Sequence, residues 1–421
     1  MLNLLLVAKY LSPEGQGYYY TFQSLIALQA FLEMGATTVI ITVGGHEVSR
    51  LAWRQSRWCG DLIALERLSS FFRVVLKWFG VVSIAFALVI IPVGSWFFSR
   101  RGGSGHEVAW IGPWVALGLA TAASLLLVGL NAFAEGIGAI EEVAKIRAFQ
   151  SGVRVVVFAV ALWLGADLWA CAWMAVAGTV VNAVGLFWIC GARLSKIWKT
   201  IPAIGMKWRK TILPFQGRIG LSWMAGYITF QLMTPVIFAF QGAKIAGEFG
   251  MALQIALGVS TLATSWVMIR QNPWAQAIAR GEWDHLSRDF RRTLVVSSGI
   301  SAVMAVGIGL VFLGVHLVQI PIRIPRWSFL IPLGTSAILN TAMSAIATYL
   351  RSFKREPFLP ISILMALSVA LGSFLLRGGH PVLLAWWYCV TVGLIGLGGG
   401  LWLLRQHQNP LGSVLPQDMS I

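Results

Sequence analysis

The stretch LPFQGRIGLSWMAGYITFQLMTPVIF, residues 213–238, is almost wholly apolar yet carries Arg218. An arginine at the middle of a membrane helix costs about 2.5–3.5 kcal/mol on insertion scales, so its presence asks for a reason. Two chemistries fit. Arg218 lies about 9 Å into the helix, close enough for its stem to carry the charge out to the headgroups. Alternatively it faces a water-filled space and holds an anionic group, phosphate above all, because the planar guanidinium donates two parallel hydrogen bonds. Gln216, Trp223, Tyr227 and Gln231 share one stripe of the same helix, about 140° from Arg218, so charge and stripe meet different neighbours. Amides beside amphipathic aromatics suit either sugar contact or helix packing.

Three further groups lie inside apolar runs. Glu33 has Gln29 and Thr37 four residues to either side, one polar stripe on a helix. A carboxyl there either carries a proton that couples a cycle or hydrogen-bonds a neighbouring helix as a neutral acid. Asn131 and Glu135 are an i, i+4 pair at the end of another run, where Glu135 is either solvated or functional. His46 and Glu47 fall where a run meets water and read as an interfacial hydrogen-bonding pair. The four cysteines are scattered, the histidines form no HExxH-type pair, and no phosphate loop or nucleophile elbow is present. No metal, no cofactor and no enzymatic chemistry are expected.

The elements that must position these groups follow from composition. The chain of 421 residues is 57% hydrophobic and only 11% charged, with a mean hydropathy of +0.75. Soluble proteins average about 25% charged residues, so this one belongs in a bilayer. Apolar runs long enough to span fall at 18–43, 74–98, 108–133, 148–166, 168–190, 213–239, 247–270, 293–318, 327–350, 358–377 and 382–404. MLNLLLVAKYL, before them, is half a span and reads as the end of a truncated first helix.

The net charge of +16 is not a nucleic-acid signature here, because the cations alternate with the spans. One set of connections holds Arg50, Arg54, Arg57, Arg67 and Arg73, then Lys145, Arg147 and Arg154, and continues through Arg193–Lys210, Arg270–Arg292 and Arg351–Arg355. The other set holds only Lys9, Arg100, Arg101, Lys244, Arg323, Arg326 and Arg377. The positive-inside rule then puts both termini in the cytoplasm, with about twelve helices in a multi-pass plasma-membrane protein. The longest connection, 44–73, is too short for a folded extramembrane domain.

WRQSRWCGDLIALER (53–67) aligns with WAQAIARGEWDHLSR (274–288) at Trp53/Trp274, Gln55/Gln276, Gly60/Gly281, Leu65/Leu286 and Arg67/Arg288. The match is either a parallel repeat or two basic amphipathic loops of like composition. With the basic connection at 191–212 it divides the chain into an N-terminal six-helix lobe (1–200), a C-terminal six-helix lobe (201–405) and a tail (406–421). The expected fold class is an all-α polytopic membrane protein, two lobes around a central cavity.

YLSPEGQGYYYTFQSLIALQAFLEMG (10–35), followed by GHE (45–47), resembles the start of bacterial polysaccharide-biosynthesis transporters related to the O-antigen flippases. These belong to the multidrug/oligosaccharidyl-lipid/polysaccharide exporter superfamily. AEG (134–136), RIGLSWMAGYITFQLMTPVIF (218–238), AGEFGMALQ (246–254) and QNPW (271–274) resemble later segments in the same order. The resemblance implies alternating access without an ATPase. Its implied substrate is a polyprenyl-diphosphate-linked oligosaccharide, carried across the bacterial inner membrane for O-antigen or other surface polysaccharide, with other assembly proteins as partners. Arg218 would be a cavity cation and Glu33 the carboxylate of the F-x-E-x-G pattern. The short first helix, and Gly45 where the pattern has Ser, depart from it. An organic-cation exporter of the same superfamily is the nearest alternative; a membrane polysaccharide polymerase or ligase is a further one, disfavoured by the short outward loops.

Overall fold

The computed structural model describes residues 2–33, 36–101, 108–201, 224–319, 323–353 and 358–407. It is an all-α polytopic membrane protein. Among the described residues, eight helices are long and apolar enough to cross a bilayer. Arg218, Gln216 and Trp223 lie outside the described residues. Contacts divide the chain into residues 2–227 with 238–247, and residues 228–237 with 248 onward.

The first unit opens with α1 (Leu2–Tyr10) and α2 (Pro13–Ile26). Ser12 caps α2 by accepting from the Gly15 amide at 3.0 Å, and Pro13 supplies the fixed φ of the first turn. The run expected as one span over 18–43 is interrupted. It continues as α3 (Gln29–Glu33) and α4 (Ala36–Val48), with turn geometry at Ala27–Leu28. No proline or glycine marks that turn, which is why the apolar pattern reads as one helix. Residues 34–35, between Glu33 and Thr37, lie outside the described residues.

α5 (Leu62–Arg101), α6 (Ile111–Gly136), α7 (Ile140–Trp163) and α8 (Trp169–Lys199) complete this unit. Most outrun their apolar cores, because helices carry on into basic, amphipathic ends that a hydropathy window does not count. Lys145, Arg147 and Arg154 accordingly sit on α7 and not in a connection; only residues 137–139 join α6 to α7. Apolar helices gain nothing from hydrophobic burial against one another in lipid, so close packing must hold them. A Cβ on Gly44 would stand 3.1 Å from the Gly136 Cα, so α4 and α6 meet backbone to backbone. Phe71, Phe72, Phe79, Phe133 and Val143 fill the core beside that contact. Outward residues such as Leu88, 71% exposed, present the lipid face.

The 44–73 connection is also shorter than expected. Between α4 and α5 stands a β-hairpin, β1 (Leu51–Arg54) with β2 (Arg57–Gly60). Its two-residue turn puts Gln55 at φ 46° and Ser56 at φ 59°, the left-handed region a tight hairpin needs. The sequence lacks the Asn-Gly signal for such a turn. The aligned segment 274–288 differs: α9 (Gln271–Arg280) is helical where 53–60 is a hairpin. What the two segments share is a glycine at positive φ, Gly60 and Gly281, shortly before a long helix.

The second unit holds α10 (Trp283–Leu317), α11 (Trp327–Arg351), α12 (Leu359–Leu375), α13 (Pro381–Val390), a π-helical run Thr391–Gly398, and α14 (Gly399–His407). It also includes α9 and most of the helix Ala243–Met268. At one end Trp274 is buried and donates to Asp289 at 2.8 Å, and Arg270 approaches the same carboxylate at 3.4 Å. At the other end Arg326 pairs with Glu248 at 2.8 Å.

Candidate functional site

The polar groups of the first unit converge on α7. Arg147, Gln150 and Arg154 follow at i, i+3 and i+7, which puts them along one side of this helix beside the buried stripe of Val143, Ile146, Phe158 and Ala161. Each meets a different partner. Arg147 pairs with Glu135 of α6 at 2.7 Å. Glu33 lies near enough to Arg147 to feel its charge, without an ion pair between them among the described residues. Gln150 accepts from Asn182 of α8 at 3.4 Å, and Asn182 accepts from Asn131 of α6 at 3.1 Å. This amide relay crosses three helices. The Oδ1 of Asn131 is buried and has no hydrogen-bond partner among the described residues.

Arg154 is the deepest of these charges. It lies farthest along α7 from the basic end, about 9 Å inside the apolar run that begins at residue 148, at 1.5 Å per residue. It makes no ion pair among the described residues. Its stem lies along α8 at Gly178, where a Cβ would stand 2.7 Å from the Cγ and Cδ of Arg154. Gly178, Asn182 and Gly185 of α8 face Arg154, Gln150 and Ile146 of α7 in antiparallel order. Small residues at this seam bring the two backbones close and leave the arginine head exposed. The buried Tyr19 of α2 lies within the field of Arg154.

The broken helix supplies the remaining groups. The Gln29 Oε1, the Tyr20 hydroxyl and the Thr21 hydroxyl are buried and lack hydrogen-bond partners among the described residues. Glu33, half-buried, lies on α3, after the turn at Ala27–Leu28. Irregular backbone inside a membrane span is tolerated where protein or a cavity supplies its hydrogen bonds, and such breaks frequently bear binding groups. Each unpaired polar atom in this region costs free energy unless a ligand or water completes it.

Tyr227 and Gln231 stand four residues apart on the helical run 224–231, both half-buried, and the Gln231 Oε1 is buried without a hydrogen-bond partner among the described residues. That run bends at Leu232 before the helix Met233–Gln241, because Pro235 cannot donate to the Gln231 carbonyl. The expected single helix over 213–239 is thus interrupted in its described part.

Arg154 and Asn182 were legible as candidates in the sequence, since each interrupts an apolar run: RVVVFAVALW for the arginine, GTVVNAVGLF for the asparagine. Counting Arg154 among the loop cations hid it. Gln150 carried no such signal; only its partner identifies it.

No protein-family model matches the chain, and no curated protein matches it. Solved structures do. An inward-facing multidrug resistance MATE family transporter of the MOP superfamily superposes with a TM-score of 0.74 at 14% identity, covering 98% of this chain and 95% of that one. The chain has the fold of MOP-superfamily transporters. The lipid II flippase MurJ, in an inward closed conformation, matches with a TM-score of 0.69 at 16% identity over 96% of this chain and 85% of that one. A MOP-superfamily transporter from Pyrococcus furiosus, its binding pocket described as reversed in polarity, matches at 0.59 and 15% identity over 98% and 92%. The fold therefore accommodates both drug export and lipid-linked cargo in other proteins. At these identities it is the side chains, and not the likeness, that must distinguish cargoes here.

Proposed function

We propose that this protein transports a lipid-linked oligosaccharide bearing a polyprenyl diphosphate across the bacterial inner membrane by alternating access. The observation that carries the reading is Arg154: a cation within the apolar run of a membrane helix, with no ion pair among the described residues, one turn along from the Gln150 that ends the Asn131–Asn182–Gln150 relay. An exposed diphosphate in hydrocarbon would be prohibitively costly. A guanidinium at this depth offsets that cost with two charge-assisted hydrogen bonds. Asn131, Gln29, Tyr227 and Gln231 supply amides and a phenol for sugar hydroxyls, with Gln216 and Trp223 extending the set. Arg218 is a second diphosphate contact on the way through. The polyprenyl tail stays in lipid throughout.

Coupling is assigned to Glu33 and Glu135. Both bear on Arg147, so protonating Glu33 leaves that arginine to Glu135 alone and changes the local charge by one. The likeness to MurJ supports a lipid-linked cargo; the likeness to MATE transporters supports the second reading, export of organic cations, for which Glu33 would be the recognising charge. The basic connections support an orientation with both termini inside.

Cells lacking the gene separate the readings. Extracted lipids are examined by mass spectrometry for polyprenyl-diphosphate oligosaccharides. Accumulation of one completed repeat unit with loss of surface polymer is expected, together with rescue by the wild-type gene and not by Arg154→Ala. Intact surface polymer with new sensitivity to organic cations would replace this reading by drug export.

A further inference from the structure

The hairpin between α4 and α5 carries chemistry that transport through the bundle does not use. Its register sets Trp53 opposite Trp58 and Arg54 opposite Arg57. Side chains alternate across a strand, so the two tryptophans share one face and the two arginines the other. The tryptophan face is anchored. The rings of Trp53 and Trp58 pack edge to face at 5.1 Å, Trp58 and Leu51 pack against the core of the first unit, and the Trp58 indole donates to the Arg193 carbonyl of α8 at 3.3 Å. The arginine face, with Ala52 and Cys59, is exposed.

Like charges placed directly opposite on a ladder repel. Neither Arg54 nor Arg57 has an ion pair among the described residues, and the adjacent Arg50 reaches Asp61 only at 4.0 Å. The acids of this segment, Glu47, Asp61 and Glu66, lie outside the hairpin strands. A rigid hairpin that holds two guanidinium groups side by side, facing away from protein, is built to receive anions from outside.

The surroundings place that face at the bilayer surface. Leu62 and Ile63, the first residues of α5, are 74% and 49% exposed, and Ile201 just beyond α8 is 82% exposed. Trp198 near the end of α8 carries the Arg73 guanidinium over its ring at 4.8 Å. Tryptophan beside arginine, flanked by bare aliphatic residues, is the composition of the membrane interface. Lys196 and Lys199 add exposed cations on α8. The hairpin strands are four residues each, about 13 Å, and the polar layer of a leaflet is roughly 5–8 Å deep, so the arginines stay within reach of headgroups.

We propose that the 51–60 hairpin is a binding platform for the phosphate headgroups of anionic phospholipids, with Arg54 and Arg57 as its paired contacts. The site is separate from the one on α7 and fixes this end of the first unit on an anionic leaflet. Cys59, on the arginine face, makes it measurable: it is the exposed cysteine, the other three being buried.

The full-length protein, labelled at Cys59 with a fluorophore, is placed in phosphatidylcholine nanodiscs. These contain a minor fraction of either phosphatidylglycerol or phosphatidylcholine carrying a nitroxide beside the headgroup. Quenching several-fold stronger by the phosphatidylglycerol tracer is expected. That surplus should vanish in Arg54→Gln/Arg57→Gln and persist in Arg54→Lys/Arg57→Lys, which keeps both charges. Equal quenching by the two tracers, or a surplus surviving in the glutamine variant, would overturn the proposal.

Discussion

The two units of the chain differ in how they bury polarity. In residues 2–227 the spans carry charges and amides that bond across helices: Glu135 to Arg147, Asn131 to Asn182 to Gln150. In residues from 248 onward the described interior is mostly apolar, with small hydroxyls and one buried amide, Asn340. Thr341 donates to the Ala337 carbonyl on its own helix at 2.9 Å, and Ser260 donates to the Ala337 carbonyl at 3.0 Å. A cavity of about 290 Å³ between the helices Ala243–Met268, α10 and α11 is lined by Ala252, Ala256, Ala305, Gly309, Gly334 and their aliphatic neighbours. The described ion pairs of this unit, Arg270–Asp289, Arg280–Glu282 and Arg326–Glu248, lie at or beyond the ends of helices. The contrast teaches that helix packing in lipid does not need buried charge. Small residues and hydroxyls, some bonded within their own helix and some across helices, hold the described interior of one unit, whereas the other adds the Glu135–Arg147 ion pair and an amide relay.

That comparison breaks most sharply at Arg154. Arg154→Ala should lower transport by about 10–100-fold, the worth of a charge-assisted hydrogen bond of roughly 1.5–3 kcal/mol. It should leave protein levels normal, because the residue has no ion pair to lose. Lysine should restore part of the activity. Thr341→Val in the second unit should leave transport near wild type in the same vesicle assay; a loss equal to that of Arg154→Ala would erase the distinction between the units.

Glu135→Gln comes next. It frees Arg147, half-exposed, from its ion pair, and a cost of about 1 kcal/mol in thermal unfolding is expected, discounted from the fully buried case for solvent screening. Arg326→Gln, which breaks a pair at a helix end, should cost less. The amide relay is worth roughly 0.6–1.7 kcal/mol by analogy with other interhelical hydrogen bonds in membranes. Asn182→Leu should show that loss by chemical denaturation in detergent, and a stabilised variant would mean that the relay serves function alone.

The smallest effects sharpen the glycine comparison. Gly178→Ala forces the Arg154 stem aside, since the new Cβ would meet it at 2.7 Å, and a several-fold fall in transport with little loss of stability is expected. Gly334→Ala, in the cavity of the second unit, meets nothing within 4 Å. It should change neither transport nor melting temperature, the usual result for a substitution away from any strained or bonded group.

Particular residues show how far the sequence could be read. The apolar runs located the described spans, because about 20 apolar residues can hardly do anything else. Their ends were misjudged where helices continue into charged turns, as at Ile140–Arg147 and Leu62–Arg73. The break at Ala27–Leu28 and the hairpin turn at Gln55–Ser56 were illegible for a common reason: neither uses the glycine, proline or asparagine that ordinarily marks such backbone. Asn131, Glu135 and Glu33 were legible as polar residues in apolar surroundings. Arg147 was not, since it reads as an ordinary loop cation until its helix is known.

The sequence by itself determined that this chain lives in a bilayer, which segments cross it, and which side chains sit there at a cost. Those are properties of composition and of a helical period, both written locally. The tertiary structure alone decided which of the costly groups are partnered. Asn131 meets Asn182 across 51 residues of sequence, and no local pattern specifies that distance. Whether an arginine faces a carboxylate or empty space depends on how α6, α7 and α8 cross, and the small residues Gly178 and Gly185 set that crossing. Arg147 is paired and Arg154 is not, two turns apart on one helix, because Glu135 reaches only the first of them.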